Sequence, residues 1–95
     1  MKVIGRLGRL EAFGEKHGDV RSQLDHWLAE MEEAKWQNHN ELKERYRSAS
    51  LLKDRRVVFD LKGGKYRLLV RIDYRRQLIR IENIGTHKEY DRWKL

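Results

Sequence analysis

From Lys65 to Ile72 the chain alternates between apolar and mostly cationic residues. Tyr66, Leu68, Val70 and Ile72 fall on one side of an extended backbone, with Lys65, Arg67, Leu69 and Arg71 on the other. Successive side chains of a β-strand point to opposite faces, so this spacing predicts a strand with one buried face and one positively charged face. Upstream, Val57-Val58-Phe59-Asp60-Leu61 is β-branched and apolar and runs into the turn sequence Lys62-Gly63-Gly64. Downstream, beyond a turn at Asp73-Tyr74-Arg75-Arg76, Ile79 and Ile81 alternate with Leu78, Arg80 and Glu82, and Ile84 leads out of the pattern. If these segments pair as hairpins with Tyr66, Leu68, Val70 and Ile72 on the core, Lys65, Arg67 and Arg71 share an open face with Arg80 and Glu82.

The first half carries the helical period instead. Leu7, Leu10, Glu11 and Phe13 predict a short amphipathic segment, which Gly8 and Gly14 each weaken by about 1 kcal/mol relative to alanine. After Asp19, a fitting N-cap, Val20, Leu24, Trp27, Leu28 and Met31 form a continuous apolar stripe, while Arg21, Asp25, Glu32 and Glu33 face water. Trp27 in that stripe reads as core. A third short helix is expected from about Glu41 to Tyr46, introduced by Asn38 or Asn40 and ended by Ser48-Ala49-Ser50.

Charge narrows the function. Residues 1–50 hold nine Lys/Arg against nine Asp/Glu and residues 51–95 hold thirteen against six, so the whole excess of +7 lies in the strand-rich half. Such asymmetry attracts polyanions and makes their binding salt-dependent. No apolar run approaches the roughly 20 residues a membrane span requires, and no stretch suits a signal peptide. With no cysteine there is neither a disulfide framework nor thiolate chemistry, as expected of a cytoplasmic protein. His17, His26, His39 and His87 lie far apart without a paired-ligand spacing, so no metal site is expected, and Gly64-Lys65 lacks the rest of a phosphate-binding loop.

The segment Gly85-Thr86-His87-Lys88-Glu89-Tyr90-Asp91 is the densest in chemistry. Thr86 and Glu89 have the spacing of a capping box, which predicts a short C-terminal helix with His87 in its first turn and Tyr90 and Asp91 three and four residues on. The start of that helix, next to cationic strands, is expected to favour an anion such as a phosphate.

The stretch Arg56-Val57-Val58-Phe59-Asp60-Leu61-Lys62-Gly63-Gly64-Lys65-Tyr66-Arg67-Leu68, taken with Gly85 to Asp91, resembles the HigB-type toxins of bacterial toxin–antitoxin pairs. Glu15-Lys16-His17, Ala34-Lys35-Trp36 and Tyr46-Arg47-Ser48-Ala49-Ser50 are similar to that family as well, so nearly the whole chain is covered. The resemblance implies a RelE-like α+β fold: one domain over residues 1–95, with N-terminal helices packed on a twisted antiparallel sheet and a short C-terminal helix. It also implies cleavage of messenger RNA on the ribosome, without a metal or other cofactor, and neutralisation by a HigA-type helix-turn-helix antitoxin through which alone operator DNA is bound. The chain departs from the family at three positions. Asp60 and Gly64 stand where asparagine is common, and Glu82 stands where a basic residue is usual and is expected to repel a phosphate unless Arg80 compensates.

On this reading Arg67, an exposed mid-strand residue, would clamp the phosphate, and His87, Tyr90 and Asp91 would complete a catalytic group. A helix start and cations favour a neutral His87, whereas Asp91 favours the charged ring, so base and acid are both open. Tyr90 could stack on a base, bond the phosphate, transfer a proton, or lie partly buried under the sheet edge. Lys62, Lys65, Arg71, Arg80 and Lys88 would hold the RNA backbone. Two other uses of the same face stand beside this one: a module that binds RNA or the ribosome without cutting, and an adaptor whose basic face docks an acidic protein.

Overall fold

The computed structural model describes all 95 residues. The helices are α1 (Leu7–Lys16), α2 (Gly18–Glu33), α3 (His39–Arg45) and α4 (His87–Tyr90), and the strands are β1 (Lys2–Gly5), β2 (Ser50–Leu51), β3 (Arg56–Leu61), β4 (Tyr66–Asp73) and β5 (Leu78–Thr86). The strands form one sheet in the order β1-β5-β4-β3-β2. The three long strands pair antiparallel, as the alternation implies, and β2 adds a two-residue antiparallel edge. β1 is not foreseen by the sequence pattern and lies parallel to β5, so the sheet is mixed. No helix is long and apolar enough to cross a membrane.

The core forms where the helical stripe meets one face of the sheet. Val20, Leu24, Trp27 and Met31 of α2, with Leu10 of α1 and Leu42 of α3, bury against Val57, Phe59, Leu61, Tyr66, Leu68, Val70, Ile72, Ile79, Ile81 and Ile84. Phe59 anchors the aromatic part, meeting Trp27 edge-on at 5.5 Å and Tyr46 at 5.0 Å between ring centroids. Such edge-to-face pairs add about 0.5–1.5 kcal/mol beyond their burial. On the opposite face Val58 lies directly across from Leu69, and both are buried outside that core. They give the open face an apolar floor among its charges.

The antiparallel register is interrupted once. Leu69 pairs with Asn83 but Val70 pairs with Ile81, which leaves Glu82 as an extra residue in a β-bulge of β5.

Two local devices fix the ends of the sheet. Gly5 ends β1 at φ +99°, and a Cβ there would stand 2.7 Å from the Ile81 carbonyl oxygen. At the other end, Asp19 in the first turn of α2 accepts a hydrogen bond from the Tyr66 hydroxyl at 2.7 Å and one from Lys65 Nζ at 2.9 Å. The bonds from Lys65 and then Tyr66 hold the Asp19 carboxyl below the usual carboxylate range, and the same contacts raise Lys65 and Tyr66.

Two outcomes follow from these devices. Gly5→Ala should destabilise the fold by about 2 kcal/mol through a strained positive φ and the clash with β5, seen as a lower urea midpoint at unchanged slope. The Asp19 contribution has a lowered folded-state pKa, so it is present above the unfolded value near pH 4 and is lost as pH falls through the folded value. Asp19→Asn should therefore show a smaller drop in urea midpoint than the parent between about pH 5 and about pH 3.

Candidate active site on the open sheet face

Arg67 is the centre of the open face. It lies mid-sheet, opposite Asp60 on β3 and Gly85 on β5. Its side chain is only 17% exposed, so it is a held residue and less open to solvent than the exposed strand arginine expected from the sequence. Four groups hold it. Nε donates to the Gly64 carbonyl at 3.3 Å and lies 3.3 Å from Asp60 Oδ1. Nη2 donates to His87 Nδ1 at 3.1 Å, and the guanidinium carbon sits 4.8 Å from the centre of the Tyr90 ring. The Asp60 contact is ionic without hydrogen-bond geometry, and Asp60 Oδ1 is buried with no donor of its own. With Nε and Nη2 engaged, Nη1 is the guanidinium nitrogen left without a partner, and a bidentate hold on an anion needs Nη2 back from His87.

The turn between β3 and β4 supplies one of these contacts. Lys62, Gly63 and Gly64 all take positive φ, at 52°, 64° and 95°, and form a tight left-handed turn, closed by the Lys65 N–H on the Lys62 carbonyl at 3.2 Å, that aims the Gly64 carbonyl at Arg67. Glycine meets this demand at two of the three positions without a Cβ penalty.

α4 carries the proton-transfer candidates. Its capping box is present as expected: the Thr86 hydroxyl accepts from the Glu89 N–H at 3.2 Å, and Glu89 Oε1 accepts from the Thr86 N–H at 2.9 Å. The Thr86 backbone bond holds the Glu89 carboxyl below its ordinary range. The anion site expected at this helix start is not formed. α4 is a single turn, the His87 N–H is spent on the Lys65 carbonyl at 2.9 Å and the Glu89 N–H on Thr86. The Lys88 N–H is left as the one donor of that turn without a protein partner, so a phosphate on this face depends chiefly on side chains.

The hydrogen bond from Arg67 assigns the His87 tautomer. Nδ1 accepts, so the neutral ring carries its proton on Nε2, which faces Asp91 Oδ2 at 3.7 Å. That separation exceeds a hydrogen bond and both side chains are largely exposed, so Asp91 acts through space. One face of the Tyr90 ring is covered by Arg67, its edge meets Trp93 at 5.3 Å, and its hydroxyl makes no hydrogen bond within the protein. The covered face is closed to base stacking, while the hydroxyl is free. Arg67, His87, Tyr90 and Asp91 are thus brought together as expected.

The expected RNA-holding residues divide. Lys88 and Lys62 are exposed, on α4 and in the β3–β4 turn. Arg71 and Arg80 are directly opposite each other at the distal end of the face, with Glu82 Oε2 3.5 Å from Arg71 Nε. Glu82 is therefore engaged with Arg71 and is not a bare negative charge in the phosphate path. Lys65 does not share the open face: β4 begins one residue later, and the Lys65 side chain turns to the helix side, onto Asp19. Asp60 and the Gly64 carbonyl complete the site without having been anticipated as members of it. Counting cross-strand partners outward from the 62–65 turn pairs Leu61 with Tyr66 and hence Asp60 with Arg67, a signal the sequence already holds.

No curated protein sequence matches this chain closely. The family model for the HigB toxin, described as the RelE-like toxic component of a toxin–antitoxin system, matches residues 20–93, which include β3, β4, β5 and every residue around Arg67. The observed α+β architecture agrees with that family's fold, and membership implies an antitoxin as partner. The chain belongs to the HigB toxin family of toxin–antitoxin systems.

Proposed function

We propose that this toxin is a messenger RNA endonuclease that cuts on the translating ribosome and so inhibits translation and growth, using side chains alone. The antitoxin that restrains it is proposed to be of the HigA type, with a helix-turn-helix that alone carries the pair onto operator DNA. The observation that carries the nuclease reading is the hold on Arg67: a guanidinium with one side pinned and one side free, hydrogen-bonded to a histidine and stacked on a tyrosine.

The chemistry needs three events. The 2′-oxygen attacks phosphorus and gives up its proton, charge builds on the non-bridging oxygens, and the P–O5′ bond breaks as O5′ gains a proton. The products are a 2′,3′-cyclic phosphate and a 5′-hydroxyl. Arg67 would stabilise the charged oxygens through its fork. In the free protein His87 Nδ1 is occupied by Arg67, and the other ring nitrogen bears a proton, so neither can accept one. A phosphate that takes over the Arg67 fork releases Nδ1 as the base for the 2′-hydroxyl, and the Asp91 carboxylate then stabilises the imidazolium. Tyr90, whose hydroxyl is unengaged, is the candidate donor to O5′. Substrate capture and base activation thus become one event, which suits a toxin that acts only where the ribosome presents the message. The decisive experiment maps messenger RNA ends in growing cells that express the protein: new 5′-hydroxyl ends within translated sequence support the reading, and intact transcripts on toxin-bound ribosomes favour a module that binds without cutting.

Arg67→Ala should lower single-turnover cleavage by about a hundredfold or more, the usual scale for lost transition-state charge stabilisation. Because Asp60 loses its only cationic contact, this variant should also lose about 1–3 kcal/mol of stability. Arg67→Ala combined with Asp60→Asn should recover stability in a urea titration without recovering cleavage, which separates the two effects.

His87→Gln should reduce cleavage by about 10²–10⁴-fold while ribosome affinity stays within a few-fold of the parent. The pH dependence contributed by the imidazole should vanish from its rate profile. A variant that keeps the parental rate and profile would make His87 a mere anchor for Arg67.

A further inference from the structure

At the end of the open face away from His87, arginines gather around a second recess. Arg56, Arg71 and Arg80 stand directly opposite one another on β3, β4 and β5, a row of three like charges across adjacent strands. Like charges in directly opposed positions repel and destabilise a sheet. Arg56 turns aside to the Lys53 carbonyl at 3.2 Å, but Arg71 and Arg80 do not. They line a cavity of about 160 Å³ together with Arg55 and Arg76, which come from the β2–β3 and β4–β5 turns at this same end of the sheet.

Asp73 organises the second pair. Its Oδ2 lies 3.5 Å from Arg55 Nη1 and 3.9 Å from Arg76 Nε, and its Oδ1 accepts the Arg76 backbone N–H at 3.0 Å. Four arginines less Asp73 leave +3 around the recess, and +2 after counting Glu82 on Arg71. Arg71 Nε is buried and makes no hydrogen bond. Ile4 and Leu78 provide an apolar wall on the β1 side. Nothing in the packing of the core requires this concentration of guanidinium groups, and their mutual repulsion is relieved by an anion with several oxygens.

We propose that this recess is a second phosphodiester site, formed by Arg55, Arg71, Arg76 and Arg80, which grips the RNA backbone away from the scissile bond. Arg71 lies four residues beyond Arg67 on the same face of β4, roughly 13 Å at a strand's rise, so an extended single strand can occupy both positions. The apolar floor of Val58 and Leu69 lies between them. This deepens the nuclease reading and rests on it only for the choice of RNA as the polyanion. The strand held there is either the message or ribosomal RNA, since the chemistry is the same.

The test uses a 2′-O-methyl oligoribonucleotide, which binds but cannot be cut, titrated by fluorescence anisotropy over a range of salt. Arg55→Gln with Arg76→Gln removes two exposed charges and keeps their stems. If each arginine neutralises one phosphate, the double variant should bind roughly tenfold more weakly, and its log–log salt slope should flatten by about 1.4, at about 0.7 per phosphate contact. Arg21→Gln with Lys35→Gln removes the same charge from the helical side and should leave the slope as it is. Equal affinity and slope in parent and double variant, on the oligonucleotide and on vacant ribosomes alike, or equal losses in both double variants, would overturn the proposal. So would a double variant that loses its affinity for an oligoglutamate peptide while its affinity for RNA is unchanged. Repeating the titration with vacant ribosomes assigns the strand: a loss on ribosomes alone marks ribosomal RNA, and a loss on the oligonucleotide as well marks the message. A parent that binds the oligonucleotide through these arginines yet leaves messages intact would sink the nuclease reading and leave this site standing.

Discussion

Strand β4 is paired with β5 from Tyr66 to Asp73 and with β3 from Tyr66 to Arg71, and the rest of the molecule is arranged around that double ladder. Because its side chains alternate, one strand serves as the floor of the hydrophobic core and the base of the charged face. Tyr66, Leu68, Val70 and Ile72 are almost completely buried. Arg67 and Arg71, between them, have their backbones held by the same two ladders as the core residues that flank them. The site is therefore built on the most constrained part of the fold, which favours a preorganised constellation over one assembled by loops.

The charged face is not a uniform positive sheet. Four of its arginines are met by carboxylates of the same chain: Arg67 by Asp60, Arg71 by Glu82, and Arg55 and Arg76 by Asp73. The ion pairs at the surface add little to stability. Their effect is to orient guanidinium groups and to lower the repulsion that a row of cations would otherwise impose. Asp60 and Glu82, two of the positions at which the chain departs from the sequences it resembles, are thus local partners of the residues they adjoin.

Much of this was legible in the sequence because the strand and helix periods are strong. The Tyr66–Ile72 alternation identified the core face, the 57–61 and 78–84 segments its partners, and the Val20–Met31 stripe the helix that covers it. The Thr86–Glu89 spacing marked the start of α4 to the residue. What escaped is weakly patterned. β1 is a four-residue edge strand with only partial burial, held by a parallel pairing to residues more than seventy positions away, which no local period can announce. Lys65 fits the alternation in type but precedes the strand, and the positive-φ turn sends its side chain to Asp19. The hold on Arg67 by Asp60 and Gly64 depends on cross-strand register, not composition. The pair of polar residues Glu82 and Asn83 gave no sign of which one the ladder leaves out.

That omitted residue sets the handedness of the whole active site. On β5, Ile79 and Ile81 face the core, and strict alternation would carry Asn83 and Gly85 inward after them and turn Ile84 outward. The bulge inserts one residue, so Ile84 enters the core opposite Leu68 while Gly85 comes up opposite Arg67. Without it the Gly-Thr-His segment would leave the strand on the other face, a slip of one position being enough to exchange faces. The meeting of His87 with Arg67 thus depends on the number of residues between Ile81 and Ile84 more than on their identity. Length, at this point in the chain, is as much a part of the chemistry as the histidine itself.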